Sequence, residues 1–183
     1  MTAFVALLRG VNVGGHRRVP AADLRSVAED AGFTDAVTVL NSGNVVFTAP
    51  GTTTGAPQVA AAIRAGLLAR LDLEVDVVAV SAATLAEVVA ANPFPDVALS
   101  DPSHLLVTFR AEPPDAERVR AFDTSTFPER MAWAAGVSYT HYPQGVGRSR
   151  LTPAVLKRAL GSEGTARSWS TVLKLHALAA ARD

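Results

Sequence analysis

The chain has 183 residues, 49% of them hydrophobic and 19% charged, with a formal net charge of zero and no cysteine. That composition excludes a disordered chain, a disulfide-stapled fold, a thiol nucleophile and a zinc site built on thiolates. The zero total conceals an order along the chain: Arg9, Arg17, Arg18 and Arg25 stand against Asp23 in residues 1–25, carboxylates dominate residues 26–140, and Arg148, Arg150, Lys157, Arg158, Arg167 and Lys174 stand against Glu163 in residues 141–174. If the two basic stretches meet, they form a patch suited to an anionic partner.

Residues 3–8 read as a short apolar first strand. The run from Phe4 to Leu8 is too short for a secretory signal and has no basic leader, and no window approaches the length of a membrane span, so no membrane partner is expected and the cytoplasm is the expected compartment. A loop follows from Arg9 to Val19. Pro20 suits a first helical turn, and Leu24, Val27, Ala28 and Ala31 recur at helical spacing before Gly32 stops the helix.

Thr34 to Leu40 reads as the second strand, with Val37 and Val39 on one face, and Asn41-Ser42-Gly43-Asn44 as a tight turn into a third strand through Val45, Val46 and Phe47. The start of strand three is expected beside the exit of strand two, with the exit of strand one at the opposite end of an antiparallel neighbour. A Gly, Thr and Pro-rich loop over residues 50–57 precedes a helix over 57–71 whose stripe is Ala60, Ile63, Leu67, Leu68 and Leu71. Val75, Val77, Val78 and Val80 supply a fourth strand. Strand, helix, strand, strand, helix, strand is the ferredoxin-like βαββαβ order, a four-stranded sheet with two helices on one face.

Ser81, with Thr84 as competitor, caps a helix over 82–91 that Asn92-Pro93-Phe94-Pro95 ends. A strand over 105–109, a short helix over 115–122, a hairpin about Ala135-Gly136, a helix from Thr152-Pro153 to Leu160 and a last helix over 170–181 complete the chain. This second half echoes the first without its final strand. The expected architecture is α/β (α+β): a ferredoxin-like half, residues 1–80, packed with a related α/β half, residues 81–183, as one compact unit. The pattern does not specify an oligomeric state.

Three stretches carry candidate binding chemistry. In RGVNVGGHRR, Gly14 and Gly15 let backbone amides turn toward an anion, while Arg9 and Arg17 offer bidentate geometry for phosphate or carboxylate and Asn12 an amide. The glycine spacing matches neither a dinucleotide fingerprint nor a P-loop. In the second stretch, Ser42, Gly43 and Asn44 present polar groups, although turn chemistry alone accounts for them. In the third, HYPQGVGRSRLTP, Arg148 and Arg150 precede the amides of a helix start, and Arg167 stands before the last helix.

Catalytic signals are thin. The four histidines have no metal-ligand spacing, no serine sits in a Gly-x-Ser-x-Gly elbow, and no motif calls for a cofactor or metal. His16 and His141, in the two basic loops, are the acid–base candidates.

The stretches ALLRGVNVGG, GFTDAVTVLNSGNVVF, NPFP, YPQGVGRSRLTP and RSWSTVLKLHALA together resemble the uncharacterised, mainly bacterial family catalogued as domain of unknown function 1697. The resemblance implies a compact α/β protein of ferredoxin-like halves and no established activity. Arg9, Asn12, Gly14, Gly15, Ser42, Gly43 and Asn44 follow the family pattern. Ser168 and Ser170 stand where it has asparagines, and Arg150 where it has lysine. The leading expectation is a binding module for a phosphate-bearing or other anionic ligand, a phosphorylated small molecule before a nucleic acid, since the strands show Val37, Val39, Val45 and Val46 where stacking would need aromatics. The alternatives are a small hydrolase or transferase with an arginine-lined cleft and an interaction scaffold.

Overall fold

The structure, a computed structural model, describes residues 1–14, 17–53 and 55–182. Among them are eight strands in two four-stranded antiparallel sheets and seven α-helices. Two compact units divide the chain, Met1–Ala86 with Lys174–Asp183, and Glu87–Leu173. No described helix is long and apolar enough to cross a membrane.

The first unit runs β1 (Thr2–Leu8), α1 (Ala21–Asp30), β2 (Thr34–Thr38), β3 (Asn44–Ala49), α2 (Ala56–Leu71) and β4 (Val77–Ser81), with sheet order β2-β3-β1-β4. That is the βαββαβ arrangement expected from the hydrophobic periodicity. Alternation along β1 and β3 sends Phe4, Ala6, Leu8, Val45 and Phe47 into one core with Leu24 and Val27 of α1 and Val59, Ile63 and Leu67 of α2. Each large apolar side chain so buried contributes roughly 1.5–3 kcal/mol before entropy is charged against it. Gly66 lets the two helices close up, because a Cβ there would stand 2.7 Å from Cγ1 of Val27.

Two details of this half differ from the pattern. Leu68 is 46% exposed rather than part of the buried stripe, since it lies one residue, about 100° of helix, beyond Leu67. Val37 and Val39 differ in burial, Val37 being 39% exposed and Val39, just beyond the end of β2, buried, and the β2–β3 register shifts between Thr34 and Val37.

After β4 in the chain, α3 (Ala82–Ala90) is capped by Ser81, whose Oγ accepts from the Thr84 amide at 3.1 Å. The short α4 (Pro95–Ser100) is new relative to the sequence pattern, which ended one helix at NPFP without starting another. Then come β5 (Leu105–Phe109), α5 (Ala116–Ala121), β6 (Arg130–Ala134), β7 (Val137–His141), a 3-10 turn at Val146–Arg148, α6 (Pro153–Leu160), β8 (Thr165–Ser168) and α7 (Trp169–Ala180). The sheet order β6-β7-β5-β8 repeats that of the first sheet. The final strand that the sequence pattern lacked is therefore present as β8, paired along β5 from Leu106↔Ser168 to Phe109↔Thr165.

Tyr139 anchors the second unit's buried face, its hydroxyl donating to the Val88 carbonyl at 2.6 Å and its ring packing on Trp169 at 6.5 Å between centroids.

Candidate functional site

Antiparallel pairing brings the first two candidate loops to one rim. With Leu7 opposite Asn44 and Leu8 opposite Val77, the exit of β1 lies at the entries of β3 and β4, so the two loops share the rim that the sequence pattern left open. The Leu8 amide donates to the Gly43 carbonyl at 2.8 Å and the Arg9 amide to the Asp76 carbonyl at 2.9 Å.

Asn12 ties this rim together. Its Nδ2 donates to the carbonyls of Asn41 at 2.7 Å and Val19 at 3.1 Å, while its Oδ1 accepts from the Val19 amide at 2.9 Å. Its φ of 57° lies in the left-handed region, which asparagine tolerates better than most residues. The buried Asn44 donates to the Val39 carbonyl and to Ser42 Oγ, both at 2.8 Å. Gly43 has a φ of 71° and no room for a side chain: a Cβ would overlap Val11 Cγ2 and lie 2.9 Å from Leu8 Cβ. These polar groups shape the rim through bonds to the protein's own backbone. Gly14, with φ of 62°, borders open space, and Gly15 and His16 lie outside the described residues.

Beside the rim is a cleft of about 430 Å³ lined by Arg17, Arg64, Leu68, Glu74, Val75 and Asp76. Asp76 is held by Arg9, whose Nη1 lies 2.9 Å from its Oδ2. Arg17 and Arg64 are exposed and have no ion-pair partner among the described residues. Sequence reasoning reached Arg9 and Arg17 but missed Arg64 and Glu74. The available signal was Arg64 and Leu68 one helical turn apart, with Leu68 just off the buried stripe.

The remaining candidates belong to the second unit. His141 Nε2 lies 3.2 Å from Asp101 Oδ2, and His104 Nδ1 lies 3.0 Å from the same carboxylate. These bonds, His141's first and then His104's, hold the Asp101 carboxyl below the usual carboxylate range. Asp101 and His104 carry no sequence signal beyond their own identity. Arg148 is exposed on the 3-10 turn, and Arg150 Nη2 donates to the Thr126 carbonyl at 3.5 Å. Arg167, 7% exposed within β8, donates from Nη1 to Thr165 Oγ1 at 2.7 Å and to the Ala166 carbonyl at 2.8 Å. Burial lowers its pKa to about 10. Among the described residues no group of three His, Asp or Glu side chains could hold a metal ion.

No curated protein matches the chain in sequence. Among solved structures it is similar to the conserved bacterial protein SP0830 from Streptococcus pneumoniae, with a TM-score of 0.74 and 20% identity over 98% of this chain and 99% of that one. At that identity the likeness carries the fold alone. A family model described as a protein of unknown function (DUF1697) matches residues 1–139, which include the whole first rim, the cleft and the first seven strands but for the last residues of β7, and the chain therefore belongs to that family.

Proposed function

We propose that the protein is a binding module for a small phosphate-bearing or other anionic molecule, taken up in the cleft beside the first rim. The observation that carries this reading is that Arg17 and Arg64 line one cleft without an ion-pair partner among the described residues. Arg9 offsets Asp76, so among the residues lining the cleft Arg17 and Arg64 stand against Glu74 and the balance favours an anion. Two guanidinium groups on a common oxyanion give charge-assisted, bidentate hydrogen bonds. Asn12, Ser42, Gly43 and Asn44 support the site by fixing the rim.

The test is thermal unfolding of the wild type and of Arg17→Ala/Arg64→Ala in pyrophosphate, sugar phosphates, nucleotides and a short RNA, at low and at physiological salt. A ligand in excess of its Kd raises the Tm. A rise with one small phosphate, absent in the double variant, is the expected result. A rise only with RNA that salt abolishes points to a diffuse electrostatic surface instead. No rise with any anion removes the reading and leaves an interaction scaffold ahead.

A further inference from the structure

One face of the second sheet bears a buried carboxylate and a half-buried guanidinium that no ion pair joins. The register sets Trp133 across from Ser138 and Ser138 across from Thr108. Continuing the alternation, two residues on from Thr108 and four from Ser138 and Trp133, puts Arg110, Tyr142 and Glu129 on the same face. Arg110 folds back along it. Its Nη1 donates to Ser138 Oγ at 3.0 Å and to the Thr108 carbonyl at 3.3 Å, and its Cζ sits 4.9 Å from the centre of the half-exposed Trp133 ring.

Arg110 Nε is buried with no hydrogen-bond partner among the described residues, and so is Oε2 of Glu129, a residue only 7% exposed. No ion pair joins the two, although each interacts electrostatically with Tyr142. Burial lowers the Arg110 pKa to about 10 and lifts the Tyr142 phenol to about 12. An unpaired buried charge is among the costliest features a fold carries, and here the buried Glu129 and the half-buried Arg110 share one face without neutralising each other. The two groups stand beyond ion-pair distance of each other, with the Trp133 ring as an aromatic platform at the arginine end.

We propose that this face binds a small zwitterion, its carboxylate on Arg110 beside Trp133 and Ser138 and its ammonium on Glu129, the two ends separated by several bonds. The site lies wholly within the second unit and is independent of the arginine-lined cleft of the first. Such a ligand supplies each buried charge with the partner it lacks. A molecule with one charge satisfies one end and leaves the other as costly as before.

The experiment titrates the full chain with glycine, γ-aminobutyrate, ε-aminocaproate and glycylglycine, with butyrate and butylamine as single-charge controls, by calorimetry and by the indole N–H resonances of its two tryptophans. The expected result is binding of a longer zwitterion in preference to glycine and to both controls, a shift of the Trp133 resonance, assigned with Trp133→Phe, and at least roughly tenfold weaker binding in Glu129→Gln and Arg110→Lys. Absence of binding by every zwitterion at tens of millimolar, or binding undiminished in both variants, overturns the proposal. If the variants do not fold, the wild type still decides: butyrate binding as tightly as its amino analogue, or ligand shifting Trp169 alone, overturns it too.

Discussion

The side-chain amide of Asn12 donates to the main-chain carbonyl of Asn41 at 2.7 Å, joining two loops that lie 29 residues apart. The same side chain serves both the amide and the carbonyl of Val19. Asn12→Ala is expected to destabilise the protein by about 2 kcal/mol, since the Val19 amide loses its acceptor in a part-buried place. Asn12→Gly keeps the left-handed backbone and should lose nearly as much. Urea unfolding of both separates hydrogen bonding from backbone strain. Loss of ligand response with unchanged stability would instead give Asn12 a direct contact role.

Gly43→Ala is expected to cost roughly 2–4 kcal/mol, combining left-handed strain with overpacking against Val11 and Leu8. Gly10 has a similar φ of 63° but open space around it, so Gly10→Ala should cost only about 1–2 kcal/mol. Equal effects in thermal unfolding would mean that close approach contributes nothing at Gly43.

The chain has two tyrosines, and burial pushes both Tyr139 and Tyr142 up to about 12. Spectrophotometric titration of the folded protein should therefore show no phenolate step near pH 10. Because the folded values are raised, their stabilisation is complete below the ordinary value of 10 and is lost as pH rises through about 12. Tyr139→Phe should cost about 1 kcal/mol at neutral pH through the lost bond to Val88 and reduce the alkaline loss.

Asp101 gives the opposite sign. Its carboxyl is held low by His141 and then His104, so it stabilises the fold above the ordinary carboxylate range, and that contribution disappears as pH falls through its lowered value. The difference in Tm between wild type and Asp101→Asn should shrink as the solution is acidified below pH of about 4. A difference that stays constant down to acid unfolding removes the carboxylate from the acid limb.

The first sheet was readable because its strands are apolar at a period of two and its helices carry stripes such as Leu24, Val27 and Ala28. The same logic failed at β8, where Thr-Ala-Arg-Ser offers no apolar alternation and the strand is fixed by pairing with β5. At the rim, Asn12 and Gly43 stood out by residue type. The pattern could not tell whether their polarity served a ligand or the backbone, because that depends on partners distant in sequence, such as Asn41 and Val11. Arg64 carried only its place one helical turn before Leu68 as a signal, and Glu129 none. One takes its place from a helix face and the other from a strand register.

The first unit is interrupted: Met1–Ala86 is completed by Lys174–Asp183, and Arg182 Nε donates to the Asp35 carbonyl at 3.2 Å. A nascent chain makes residues 87–173 before it makes that segment. At roughly 5–20 residues per second the early part waits on the order of ten seconds for its last piece. During synthesis the second unit is therefore made in full before the first is, and the first sheet, whose four strands are all made by Ser81, waits not for a strand but for the C-terminal part of α7.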